Sequence, residues 1–143
     1  MKLREPFTFF VDRSLGRKLA ERLRAQGFAV EMHDDHFAID ATDTTWLTDV
    51  GRRGWIVLTK DKAIRRNALE REALVSSNVA CFMLGRGDLS SDQMVTAFVA
   101  AMPRMQRVLR RSEPPLAASV SALGSVAVLM ENGALLSSPR QVK

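Results

Sequence analysis

The carboxylates of this chain are unevenly placed. Six acids (Glu31, Asp34, Asp35, Asp40, Asp43 and Asp49) lie between Glu31 and Gly51 with no Lys or Arg among them, and the next twenty residues carry seven basic side chains. Asp12 follows the apolar run at 7–11, and Asp61 comes just after another at 55–59. Carboxylates gathered in one place repel each other; without a counter-charge their pKa values rise and the fold loses stability. A hard divalent cation, Mg2+ or Mn2+, resolves the conflict with oxygen ligands. Such a centre suits phosphodiester hydrolysis, because the metal lowers the pKa of a bound water and offsets charge building on the phosphate. Lys60, Lys62, Arg65 and Arg66 flank Asp61 and carry the charge needed to position a nucleic-acid backbone.

Other reactive side chains point less sharply. His33 and His36 bracket Asp34 and Asp35. Two histidines fall short of the roughly three protein ligands of a catalytic zinc, so the expected role is hydrogen bonding that fixes the acidic loop, or substrate contact. Thr59 either ends a strand or hydrogen-bonds a metal ligand. Asp43 has a bland reading too, as the negative first turn of a helix. Arg104, Arg107 and Arg111 recur at helical spacing, which describes a solvated face or an RNA-binding stripe. Cys81 is the only cysteine. It excludes an internal disulfide, fits a reducing cytosol, and sits in an apolar stretch where it should be buried and inert. No His or Cys pairing supports a covalent nucleophile, and no glycine-rich phosphate loop is present.

The elements that must position the acids alternate along the chain. Residues 7–11, 55–59 and 79–84 are short, largely apolar runs that read as buried strands, and 28–32 reads as a further strand. Between them the pattern predicts helices over 14–26, with Leu15, Leu19 and Leu23 on one face and Gly27 as the stop; from Thr42 to the Gly51/Gly54 pair, with Thr42 as cap and Trp46, Leu47 and Val50 inward; and over 64–75. Ser90 and Gln93 form a capping box. It opens a long helix with Met94, Phe98, Met102, Met105 and Leu109 on one face, a bend at Pro103, and a close at Pro114-Pro115. Residues 118–122 and 126–130 read as a hairpin around Gly124-Ser125.

This β-α-β-α order predicts an α/β fold with a mainly parallel sheet covered on both faces and a C-terminal β-hairpin. In such a sheet all strands end on one edge, the edge where open α/β sheets bind ligands. Asp12, Asp34, Asp35 and Asp61 end strands there, and Asp43 begins the helix leaving the second strand. The 143 residues suffice for one core. One domain is therefore expected over residues 1–132, with a flexible tail over 133–143. No apolar run approaches the ~20 residues of a membrane span, so a cytoplasmic protein is the expectation. The net charge of +5 suits a polyanionic partner as well as plain solubility.

Three segments carry a family resemblance: Phe10-Val11-Asp12-Arg13-Ser14-Leu15-Gly16, then Asp43-Thr44-Thr45-Trp46-Leu47, then Val57-Leu58-Thr59-Lys60-Asp61-Lys62. Together, in this order and over about residues 8–130, they resemble the PIN-like nucleases. The likeness is to the small branch that includes VapC-type toxins of toxin–antitoxin pairs. His33-Asp34-Asp35-His36-Phe37 and the Glu113-Pro114-Pro115 segment before the hairpin look like that branch too. The resemblance implies a three-layer α/β/α fold and a Mg2+- or Mn2+-dependent endoribonuclease leaving a 3′-hydroxyl and a 5′-phosphate. It also implies an RNA substrate, a cognate antitoxin protein that silences the enzyme, and a homodimer as a candidate assembly. By position, Asp12, Asp43 and Asp61 match the family's catalytic, metal-binding acids. Lys60, Lys62 and Arg65 are the substrate-binding candidates. The fourth acid of the family pattern has no clear counterpart, with Asp35 and Asp40 the nearest. A catalytically degenerate module that binds RNA or a partner protein is the alternative.

Overall fold

Side chains of a strand alternate between the two faces of its sheet, and here both faces are dry. In β1 (Thr8–Val11), Phe9 and Val11 enter one core and Phe10 the other. In β3 (Ile56–Thr59), Ile56 and Leu58 part from Val57 in the same way, and in β4 (Ala80–Leu84) Phe82 parts from Cys81 and Met83. The computed structural model describes residues 2–60 and 68–143. Its sheet has seven strands in the order β2-β1-β3-β4-β5-β6-β7, completed by β2 (Ala29–Met32), β5 (Leu116–Val120), β6 (Val126–Glu131) and β7 (Ala134–Gln141). β1 to β5 pair in parallel; β6 and β7 pair antiparallel.

Helices cover both faces. On one, α1 (Arg17–Ala25) contributes Leu19 and Leu23, and α4 (Ser91–Arg111) contributes Phe98, Met102 and Met105. On the other, α2 (Asp43–Arg53) contributes Trp46, Leu47 and Val50, and α3 (Ala68–Ser76) contributes Leu74. The expected caps are in place. The Thr42 hydroxyl accepts from the Thr45 N–H at 3.4 Å, and Ser90 and Gln93 bond reciprocally at 3.2 and 2.8 Å. α4 runs on through Pro103 as one element to Arg111. Among the described residues no helix is long and apolar enough to cross a membrane.

Three expectations change. The helix expected from residue 14 starts at Arg17 instead, because Gly16, at φ 84° and ψ 163°, breaks it off from a short 3-10 turn over Arg13–Leu15. The expected tail is a strand: β7 pairs with β6 through the register Glu131–Ala134 and Met130–Leu135. Asn132 and Gly133 join them with φ of 54° and 77°, the positive angles a two-residue type I′ hairpin requires. The first strand of the earlier hairpin begins at Leu116 rather than 118. The first residues of the helix expected over 64–75 lie outside the described residues.

Candidate active site

The end of β1 delivers Asp12 to the strand-end edge, and its neighbours then shape it. The Asp12 N–H still donates to the Leu58 carbonyl at 3.0 Å, so the carboxylate stands beside the end of β3. Beyond it the chain turns tightly, Leu15 N–H donating to the Asp12 carbonyl at 3.0 Å, and this turn brings Ser14 back under the side chain. The Ser14 hydroxyl donates to Asp12 Oδ2 at 2.9 Å, and the Thr59 hydroxyl, at the end of β3, donates to the same oxygen at 2.8 Å. Asp12 is 8% exposed and Thr59 fully buried. No cation pairs with Asp12 among the described residues.

Asp43 occupies the first position of α2. Its Oδ1 accepts from Trp46 Nε1 at 2.9 Å, one helical turn on, and it too has no cationic partner among the described residues. The other edge acids behave differently. Asp34 meets His33 Nδ1 at 3.3 Å and Arg13 Nε at 3.8 Å, and Asp35 meets Arg17 at 3.2 Å. With Arg13 Nη1 donating to the Ile39 carbonyl, these pairs fasten the acidic loop to the start of α1. Asp40 is exposed on that loop. Two edge acids are therefore already neutralised by arginine. Asp12 and Asp43 instead hold one oxygen on neutral donors and leave the other without a partner among the described residues.

That donor chemistry fits a hard cation: carboxylate oxygens free to ligate and held in place by neutral hydrogen bonds. Among the described residues no three His, Cys, Asp or Glu side chains come together as a ligand set. Asp61, the third acid of the expected set, lies outside the described residues, as do Lys62 and Arg65. Lys60 is described, and its N–H donates to the Ser14 hydroxyl at 3.4 Å.

The histidines separate. His33 is 2% exposed and sits among Phe10, Phe37 and Trp46, while His36 meets Glu31 at 2.8 Å and Trp55 edge-on. Both hold the loop by packing and hydrogen bonding. An apolar cavity of about 280 Å³ opens where Leu74 of α3 faces Leu129 and Leu135 of β6 and β7, and among the described residues none of the candidate acids lines it. Ser14 is the neighbour of Asp12 that sequence reasoning missed. The signal for it was the Asp-x-Ser spacing, since a Ser two residues beyond a strand-ending Asp readily folds back on it.

A family model described as a PIN-like domain matches residues 7–86, the span that holds β1, the acidic loop, α2, β3 and β4. The protein named "Putative ribonuclease VapC45" of Mycobacterium tuberculosis (strain ATCC 25618 / H37Rv) is 32% identical over 110 residues, covering 73% of this chain and 80% of that protein. No solved structure matches. The matched span is more than half of the chain and contains the parallel strands that carry Asp12 and Thr59 to one edge: the chain belongs to the PIN-like domain family.

Proposed function

We propose that this protein is a metal-dependent endoribonuclease that hydrolyses RNA phosphodiester bonds, and that it is the toxin of a toxin–antitoxin pair. The observation carrying this reading is the state of Asp12: a buried carboxylate held by two neutral hydroxyls, with one oxygen unpartnered and no cation beside it among the described residues. A buried anion left in that state costs stability and is kept where it has work to do. The similarity to a protein named as a ribonuclease points the same way.

In this reading Asp12, Asp43 and Asp61 hold Mg2+ or Mn2+, with Asp40 the remaining candidate for a further ligand. The ion supplies a bound water of lowered pKa and positive charge beside the phosphate. Asp12 is fixed by Ser14 and Thr59, and Asp43 by Trp46, so neither carboxylate has to be ordered when the ion arrives. Lys60, Lys62 and Arg65 draw in the RNA backbone. A cognate antitoxin protein completes the reading as the partner that silences the enzyme.

Controlled expression tests it. Induction of the wild-type chain should arrest growth and fragment cellular RNA, and a small protein encoded beside its gene should restore growth when co-expressed. Unchanged growth and intact RNA with abundant folded protein would favour a module that binds RNA or a partner without cutting.

A further inference from the structure

The two hydroxyls on Asp12 do more than hold it. Each hydroxyl has one proton to give. Ser14 and Thr59 donate to Asp12 Oδ2 at 2.9 and 2.8 Å, both closer to that oxygen than the 3.4 Å between the two hydroxyls. The Lys60 N–H meets Ser14 Oγ from behind, at 3.4 Å, and fills an acceptor position rather than competing for the proton. Oδ2 therefore receives two donors, which occupy its two lone pairs, and Oδ1 receives none among the described residues. The asymmetry is built by the fold from two directions. The turn after β1 returns Ser14, and the β1–β3 register sets Thr59 beside Asp12.

Resting on the reading of Asp12 as a metal ligand, we infer that the Ser14–Thr59 pair makes Asp12 a one-oxygen ligand and thereby selects Mg2+ or Mn2+ against Ca2+. A carboxylate that binds through both oxygens needs lone pairs on each, and here those of Oδ2 are taken. Freeing them would break two charge-assisted hydrogen bonds in a site where Thr59 is fully buried and Asp12 nearly so. Mg2+ takes six ligands in octahedral geometry at about 2.0–2.1 Å and is satisfied by single carboxylate oxygens, whereas Ca2+ takes six to eight at about 2.3–2.6 Å and often uses both oxygens of a carboxylate. The larger ion loses more from the clamp. Ser14 and Thr59 are thus positioning residues, acting on the ion only through Asp12.

Electron paramagnetic resonance of Mn2+ bound to the chain of residues 1–143, with Mg2+ or Ca2+ as competitor, reads this without any turnover. In the wild-type chain Mg2+ should displace Mn2+ at lower concentration than Ca2+ does. In Ser14→Ala/Thr59→Val the preference for Mg2+ over Ca2+ should fall by about tenfold or more, the scale set by two hydrogen bonds to a charged group. Thr59→Ser, which keeps the hydroxyl, should retain the wild-type ratio, and the single variants Ser14→Ala and Thr59→Val serve in place of the double if it does not fold. A wild-type ratio in folded hydroxyl-free variants would overturn the inference while leaving the metal site standing. Wild-type protein that binds no Mn2+ would overturn the metal site and the inference together.

Discussion

Gly51 lies within α2, where helix propensity alone would favour alanine by about 1 kcal/mol. The packing says the opposite. A Cβ built at Gly51 would sit 2.1 Å from the Ser77 carbonyl oxygen, 3.0 Å from its carbonyl carbon and 3.1 Å from its Cβ. Two of the three are backbone atoms, so no side-chain rotation relieves the contact, and α2 must move away from the end of α3. A 2.1 Å approach to a backbone oxygen belongs in the upper half of the roughly 1–3 kcal/mol that overpacking costs, so after the propensity gain of about 1 kcal/mol the net for Gly51→Ala is a loss of about 1–2 kcal/mol. For a chain of this size that lowers Tm by ~3–8 °C. Circular dichroism melting of both proteins in one buffer measures it. The same displacement should disturb the start of α2, where Asp43 is held by Trp46, and so weaken Mn2+ binding. An unchanged or raised Tm for Gly51→Ala would refute the close approach of α2 and α3 and leave propensity as the stronger effect.

Glu131 gives a pH dependence with a definite sign. Its carboxyl is lowered to about 2, by the Arg140 guanidinium first and the Ser112 hydroxyl second. A carboxyl held below its unfolded value near 4.5 contributes stability that is complete above pH 4.5 and is lost as pH falls from there toward 2. The wild-type Tm should fall more steeply across that window than the Tm of Glu131→Gln; parallel curves would contradict it. Ending the chain after Asn132 should lower Tm by more than about 5 °C, because it removes β7, the Arg140 partner of Glu131 and the cover over Met130. A flexible tail would leave Tm unchanged.

The parallel strands were legible because a strand buried on both faces leaves a run such as Phe9-Phe10-Val11 with no polar member. The caps at Thr42 and Ser90 were legible because capping is local chemistry between residues three apart. β7 was missed although Asn132-Gly133 is a strong hairpin signal. Its strand is mostly exposed and carries Ser137, Ser138, Pro139 and Arg140, so no apolar alternation marks it. In the candidate site, strand order was enough to bring Asp12, Asp34, Asp35 and Asp43 to one edge. What separates them is long-range pairing. Arg17 meets Asp35 from eighteen residues away and Thr59 meets Asp12 from forty-seven, and no spacing rule reports either.

The most direct measurement is cleavage of a labelled RNA by purified wild-type protein and by Asp12→Asn, each with Mg2+ and again with excess chelator. The substituted amide keeps an oxygen for Ser14 and Thr59 but loses the charge. In chelator the variant should melt no lower than the wild type, since it loses a buried charge that no ion offsets there, while cleaving at least ~100-fold more slowly with Mg2+, and chelation should stop the wild-type reaction until Mn2+ or Mg2+ is restored. Folded Asp12→Asn that cleaves at the wild-type rate, or wild-type cleavage that ignores the chelator, would contradict a metal-dependent nuclease centred on Asp12.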